Sequence, residues 1–198
     1  MTTGSAISIS ALSSQLEVGD VLFLRVVPRV FRKVAEATGT WTNHVGIVVE
    51  FEGGHAVVAE SRIPLSRLTR LPAFVRRSEQ GRVAVMRLTT PLSKDQCGRL
   101  RAAARRRLNI LYDTGFNLHS RRQFCSRFVR EVIGEATDIS VGQVETFAGL
   151  LSRRPQTDLA FWKLWYFGRI PWTRETVSPA SLLGSQQLRT VFDGFSSD

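Results

Sequence analysis

The chain carries two cysteines, Cys97 and Cys125, and three histidines in 198 residues. Their positions show no metal-ligand spacing, so neither a metal site nor a cofactor is expected. No run of about 18 apolar residues occurs, and no membrane-spanning helix is expected. The opening ten residues lack both a basic stretch and a long apolar core, so no export signal is read there. The expectation is therefore a cytoplasmic protein with both thiols free. Acidic residues are also few: 17 Asp and Glu against 27 Lys and Arg leave a net charge of +10. Apart from Arg105-Arg106-Arg107, the arginines are scattered. That pattern suits a solvated surface and carries no nucleic-acid-binding signature.

At 43% hydrophobic the composition supports one domain with a proper core. Residues 1–16, rich in Ser and Thr, read as a loose leader. Residues 17–198 read as a single domain, with an aromatic C-terminal extension over about 155–198. Gly19-Asp20-Val21-Leu22-Phe23-Leu24 reads as a buried strand entered through a turn, and Pro28 to Ala37 has helical spacing. Strands are predicted at 44–51, 56–60 and 82–88, the first two joined at Gly53-Gly54. Ser93 and Gln96 form a capping-box pattern, after which Cys97, Leu100, Ala104 and Leu108 share a helical face. A further helix opens at Cys125, carries Phe128, Val129, Val132 and Ile133 on its apolar stripe, and is predicted to end at Gly134. Thr146 and Ser178 read as caps of two short helices.

Cys125 at a helix start and His44 at a strand start are the residues that suggest chemistry. A helix N-terminus and a nearby imidazolium both lower a thiol's pKa, and a thiolate is the stronger nucleophile. Only the fold can join two residues 81 positions apart. On strand 44–50 the side chains of His44, Gly46, Val48 and Glu50 share one face. Gly46 is expected to leave a gap beside His44 for a helix end or a substrate. Whether Glu60 can reach His44 depends on register. A two-residue turn pairs Ile47 with Glu60 and turns the carboxylate away; a three-residue, bulged turn pairs Gly46 with Glu60 and makes His44 its diagonal neighbour. A role for Glu60 thus predicts the bulged turn.

With that register, His44 accepts the thiol proton and Glu60 holds the second imidazole nitrogen. The Cys125 backbone N–H faces the developing oxyanion, and Gln123 is a candidate second donor. His55 and His119 are expected at the surface. Phe161, Trp162, Trp165, Tyr166, Phe167 and Trp172, interleaved with Lys163, Arg169 and Arg174, suit a cover over the substrate groove, and equally a membrane interface.

Four blocks resemble a known family: Gly19-Asp20-Val21-Leu22-Phe23, Trp41-Thr42-Asn43-His44-Val45-Gly46-Ile47, Val58-Ala59-Glu60-Ser61, and Phe124-Cys125-Ser126-Arg127-Phe128-Val129. The chain is similar to the permuted papain-like amidases, the YiiX/YebB-type members of the NlpC superfamily, and closest to the YebB-like branch. The resemblance implies an α+β fold, an antiparallel sheet with the Cys125 helix packed against it, and a His strand that precedes the Cys helix. It carries the family's catalytic Cys to Cys125, its His to His44 and its third polar residue to Glu60. Many relatives have an acidic residue where Arg127 stands, so Arg127 is expected to place positive charge near the substrate. Trp41 and Tyr112, with the tail aromatics, are expected to line the groove.

The implied activity is a cysteine hydrolase acting on an amide or ester through an acyl-enzyme. Its partner would be a small-molecule, peptide or lipid substrate with a carbonyl group. An acyltransferase on a lipid or amine acceptor is the alternative enzyme. A basic module binding nucleic acid or anionic lipid is the alternative without catalysis.

Overall fold

The computed structural model describes residues 5–196. In chain order the elements are β1 (Ser5–Ile7), α1 (Ile9–Gln15), β2 (Val21–Val26), α2 (Arg29–Thr38), β3 (His44–Glu52) and β4 (His55–Glu60). Then come β5 (Arg67–Arg70), α3 (Leu71–Val75), β6 (Ser78–Leu88), α4 (Lys94–Arg106), α5 (Cys125–Thr137) and β7 (Val144–Thr146). The last are α6 (Phe147–Ser152), α7 (Leu159–Trp165), β8 (Glu175–Val177), α8 (Pro179–Leu183) and β9 (Leu188–Ser196).

Seven strands form one sheet in the order β1-β9-β6-β2-β3-β4-β5. All its pairings are antiparallel except β1 with β9. This is the α+β arrangement expected from the sequence. Val21 to Leu24 and Val45 to Val49 are buried at every position, so both faces of the central strands are covered and the strands read as apolar runs. Helices α4 and α5 pack on β3, while α3 packs on β4 and β6.

The strand positions follow from their β-branched and aromatic content, and the helix starts from their caps. Ser93 Oγ accepts from the Gln96 N–H while Gln96 Oε1 accepts from the Ser93 N–H, completing the capping box. Thr146 and Ser178 cap α6 and α8 as expected. Helix α5 buries Phe128, Val129, Val132 and Ile133, each contributing about 1.5–3 kcal/mol by leaving water.

Several expectations are corrected. Helix α5 runs past Gly134 to Thr137 and ends where Asp138 turns left-handed at φ 64°. One glycine costs only about 1 kcal/mol in a helix, and Ala136, buried two residues on, favours continuing it. Residues 5–16 are not a loose leader. Strand β1 pairs with β9, and Leu12 of α1 is fully buried; residues 1–4 of that segment lie outside the described residues. Nor is the C-terminal segment an appendage, because β9 pairs with β6 from Arg82 to Leu88 inside the sheet. Cys97 is only half-buried, the covered residues of α4 being Leu100, Ala103 and Ala104.

The hairpin β3–β4 contains the main surprise. Its turn is the two-residue one, with Glu52 paired to His55. A bulge between Val48 and Glu50 then shifts the register, so Ile47 pairs with Ala59. Extending the ladder one step sets Gly46 opposite Glu60, the register that had required a three-residue turn. The extra residue sits within the strand, at Val49, instead of in the loop.

The space at Gly46 is not open to a substrate. A Cβ there would lie 2.6 Å from Val58 Cγ1 and 2.9 Å from the Phe74 ring. Gly46→Ala is expected to destabilise the fold by about 1–3 kcal/mol through overpacking, measured by urea unfolding. A variant as stable as the parent would mean that Phe74 moves freely.

Candidate active site

Cys125 is the first residue of α5, after an N-cap, Phe124, that supplies no side-chain bond. The leading N–H groups of the helix therefore have no intrahelical partner and lend positive character where the thiol sits. His44 is the first residue of β3, set by Asn43, whose side chain accepts from the Val26 N–H and donates to the Val26 carbonyl. Thr42 adds a hydroxyl bond to the Leu24 carbonyl.

Glu60 ends β4, on the strand face His44 shares. Its Oε2 lies 2.6 Å from His44 Nε2. Thr69 Oγ1 donates to its Oε1 at 2.7 Å, and Arg77 Nη2 donates to both oxygens at 2.8 and 2.6 Å. Glu60 pairs with Arg67, so Thr69 and His44 are its diagonal neighbours on the two flanking strands. The register shift in β3 thus brings the three side chains together.

His44 and Cys125 face each other closely enough that each shifts the other's ionisation. Since Nε2 holds Glu60, the ring's Nδ1 is the nitrogen left for the thiol. The Tyr112 hydroxyl donates to Cys125 Sγ at 3.9 Å. Cys125, His44, Glu60 and Tyr112 are all buried.

Burial pushes the Cys125 thiol up, but the His44 bond and charge, the Tyr112 hydroxyl and the Val45 N–H outweigh it and bring the thiol below its ordinary value. Burial likewise disfavours the His44 cation, yet Cys125 and Glu60 on its two sides raise it to about 9. Burial works against the Glu60 carboxylate too, and His44 with Arg77 holds it down to about 2. Tyr112 is raised well above its ordinary value, first by burial and then by the Cys125 charge. Its phenol stays neutral and keeps its proton to donate. At neutral pH the His44 imidazolium stands against the Glu60 carboxylate, and the Cys125 thiol is biased toward its thiolate.

A pocket opens beside Cys125, with about 610 Å³ of atom-free space, part of it continuous with solvent. Phe31 and Val34 of α2, Phe116, Leu150 of α6, Trp162 of α7 and Ile170 give it an apolar wall. Tyr112 stands in an aromatic cage, edge-on to Phe31 at 5.8 Å and to Phe116 at 6.5 Å between centroids. Trp162 and Tyr166, one helical turn apart, bring the tail aromatics to the pocket as expected.

Three sequence-derived candidates lie elsewhere. Trp41 sits under the Arg82 guanidinium, 4.7 Å from its ring centroid, away from the pocket lining. The Gln123 amide nitrogen is directed to the Arg107 carbonyl at 3.5 Å, so it is no oxyanion donor. Arg127 bonds Glu131 and the Ser120 and Arg122 carbonyls, stapling that loop to α5 instead of facing a substrate. Conversely, Arg77 and Thr69 were not foreseen as partners of Glu60. Strand alternation could have suggested Thr69 once the β4–β5 pairing was known; nothing local marks Arg77. His55 and His119 are exposed, the latter 2.7 Å from Glu175.

Comparison with known proteins agrees with this geometry. Residues 15–192 match the family described as permuted papain-like amidase enzyme, YaeF/YiiX, C92 family. The chain is 29% identical over 185 residues to the uncharacterized protein YiiX of Escherichia coli K12, covering 93% of this chain and 90% of that one. It also superposes on the crystal structure of metalloprotein yiiX from Escherichia coli O157:H7, with a TM-score of 0.81 and 26% identity. That likeness covers 91% of this chain and 99% of the other.

Proposed function

The chain belongs to the permuted papain-like amidases of the YaeF/YiiX family, and from that premise we propose that Cys125, His44 and Glu60 hydrolyse an amide or ester through an acyl-enzyme. The observation that carries the reading is the buried Glu60 carboxylate 2.6 Å from the His44 imidazole, with His44 and Cys125 each shifting the other's ionisation.

The thiolate of Cys125 attacks the substrate carbonyl carbon, forming a C–S bond and placing negative charge on the oxygen. The Cys125 N–H at the start of α5 and the Tyr112 hydroxyl are the donors for that oxyanion. His44, already protonated, gives its proton to the departing amine or alcohol as the C–N or C–O bond breaks. The neutral imidazole then takes a proton from water, whose hydroxide attacks the thioester. The product acid leaves and the thiolate–imidazolium pair is restored. Glu60 keeps the ring oriented and stabilises its charged form throughout.

The solved relative is titled a metalloprotein. In this chain, among the described residues, no three His, Cys, Asp or Glu side chains converge to hold an ion. The Glu60 carboxylate is taken up by His44 Nε2, Thr69 and Arg77. No step here runs through a metal.

The apolar pocket favours a second reading, in which the acyl group is a hydrocarbon chain and an alcohol or amine replaces water as acceptor. A series of 4-nitrophenyl esters of rising chain length, with and without an added amine, separates the two. The first reading predicts free acid whatever amine is added; the second predicts an amide product and a preference for long chains.

The test of the site itself is alkylation by iodoacetamide across pH, with Cys97 as internal control. Cys125 should label rapidly well below pH 8, and His44→Ala should remove that advantage. Labelling of Cys125 that tracks ordinary thiol ionisation, regardless of His44, would remove the proposed nucleophile.

A further inference from the structure

We infer that the tip of α7 docks on an anionic phospholipid bilayer and sets the mouth of the Cys125 pocket against the lipid. Helix α7 has two unlike faces. Trp162 and Tyr166 point into the apolar pocket beside Cys125, whereas Leu164 is 80% and Phe167 is 99% exposed. A phenylalanine ring left almost wholly in water, with Leu164 three positions away, is an unpartnered apolar knob. Phe167 also sits at φ 52°, in the left-handed region that favours glycine. Two backbone bonds hold the reversal, Phe167 N–H to the Leu164 carbonyl and Gly168 N–H to the Lys163 carbonyl. The chain thus keeps an aromatic at a projecting turn where Gly or Asn would fit more easily.

Charge says what covers the knob. Lys163 and Arg169 flank it, both exposed, and neither has a carboxylate partner among the described residues. Asp158 is taken by Lys33, Glu145 by Arg153 and Glu175 by His119, and Asp113, which acts on Tyr166, is buried and accepts from the Gly115 and Asn117 N–H groups. Five residues after Phe167, Trp172 is also exposed, a ring of the amphipathic kind found at lipid headgroups. An apolar projection ringed by free cations, on a protein of net charge +10, is complementary to an anionic interface. It is not complementary to a second copy of itself, whose knob would bring the same cations.

A shallow surface groove beside the knob is lined by Leu164, Phe167, Arg169 and Tyr166, and Tyr166 also lines the Cys125 pocket. One side chain therefore separates the docking face from the pocket. The inference extends the hydrocarbon-acyl reading by supplying a route for the chain, but vesicle binding and hydrolysis are read separately.

The test is co-sedimentation with vesicles of phosphatidylcholine containing one third phosphatidylglycerol, against pure phosphatidylcholine. The full-length protein should pellet with the anionic vesicles and release as salt rises. Leu164→Ser with Phe167→Ser keeps the charge yet should lower the apparent affinity at least tenfold. Lys163→Glu with Arg169→Glu should do the same, whereas Lys94→Glu with Arg189→Glu, on other elements, should cost less than threefold. All three double variants should cleave a soluble short-chain ester like the parent. Binding that falls equally with either charge pair and ignores the serine changes would overturn docking by α7, leaving diffuse attraction. A parent that stays in the supernatant, or pairs with itself through this face by sedimentation analysis, would overturn it as well. Loss of ester cleavage by Cys125→Ala without loss of vesicle binding would support docking while leaving hydrolysis to its own test.

Discussion

Cys125→Ala is expected to lower kcat/KM for the cleaved substrate about ten-thousand-fold or more, with unfolding by urea little changed. The sulfur is the only atom proposed to bond the substrate, so no other side chain can share the loss. The stability expectation follows from what surrounds it. The sulfur is buried, and the His44 imidazole keeps Glu60 when it goes. His44→Ala should cost activity on the same scale, and the double variant little more than either single one, because nucleophile and base act as a unit. Steady-state kinetics on one ester and one amide substrate check this. Activity in Cys125→Ala within tenfold of the parent would place the chemistry elsewhere.

Glu60→Gln is expected to lower kcat/KM by about a hundred- to ten-thousand-fold, and here stability should fall as well. The carboxylate accepts from Thr69, from Arg77 twice and from the imidazole. A glutamine offers one oxygen where two now work, and turns two donors toward partners that are donors themselves. Arg77 is 24% exposed at its side chain, so solvent softens the loss to about 2–3 kcal/mol, below the range for a fully buried broken pair. Thr69→Val removes one neutral bond and should cost about 1 kcal/mol.

The pH profile gives a second reading of the same variant. His44 is raised from 6.5 to about 9 in the folded protein. The stability it contributes is therefore full below about 6.5 and lost as pH rises through about 9. Glu60 is lowered from 4.5 to about 2, so its contribution is full above about 4.5 and lost only as pH falls through about 2. The alkaline limb of kcat/KM should lie near 9 in the parent and move to lower pH in Glu60→Gln. An unmoved limb would show that Glu60 does not act through His44, whatever happens to the rate.

Much of the local structure was legible because it is set by neighbours in the chain. The capping box at Ser93, the buried run from Val21 and the apolar stripe of α5 each rest on spacing within a few residues. Gly134 misled for the same local reason: glycine marks helix ends on average, while here a buried Ala136 two residues later decided otherwise. Residues 5–16 were misread because their polar composition hides Leu12, and a strand pairing supplied by β9 lies nearly the whole chain away.

The site divides along the same line. Cys125 at a helix start and His44 at a strand start are features of short segments, and four blocks in order identified the family. That Glu60 reaches His44 was a matter of register, and the register came from Val49 bulging inside β3 and not from the turn. Gln123, Arg127 and Trp41 look equally plausible in one dimension, but Gln123 and Trp41 take partners from other segments, Arg107 and Arg82, while Arg127 is spent on Glu131 one turn along its own helix.

The sequence by itself determined the Cys125 helix, the His44 strand, the α+β class and the family, since each is written in contiguous residues or their order. Only the tertiary structure decided which carboxylate meets the imidazole, that Arg77 and Thr69 hold it, and that an apolar pocket opens beside the thiol. The contacts around Glu60 join residues 9 to 17 positions apart, the pocket walls come from segments as distant as Phe31 and Ile170, and no local pattern constrains how such segments lie against one another.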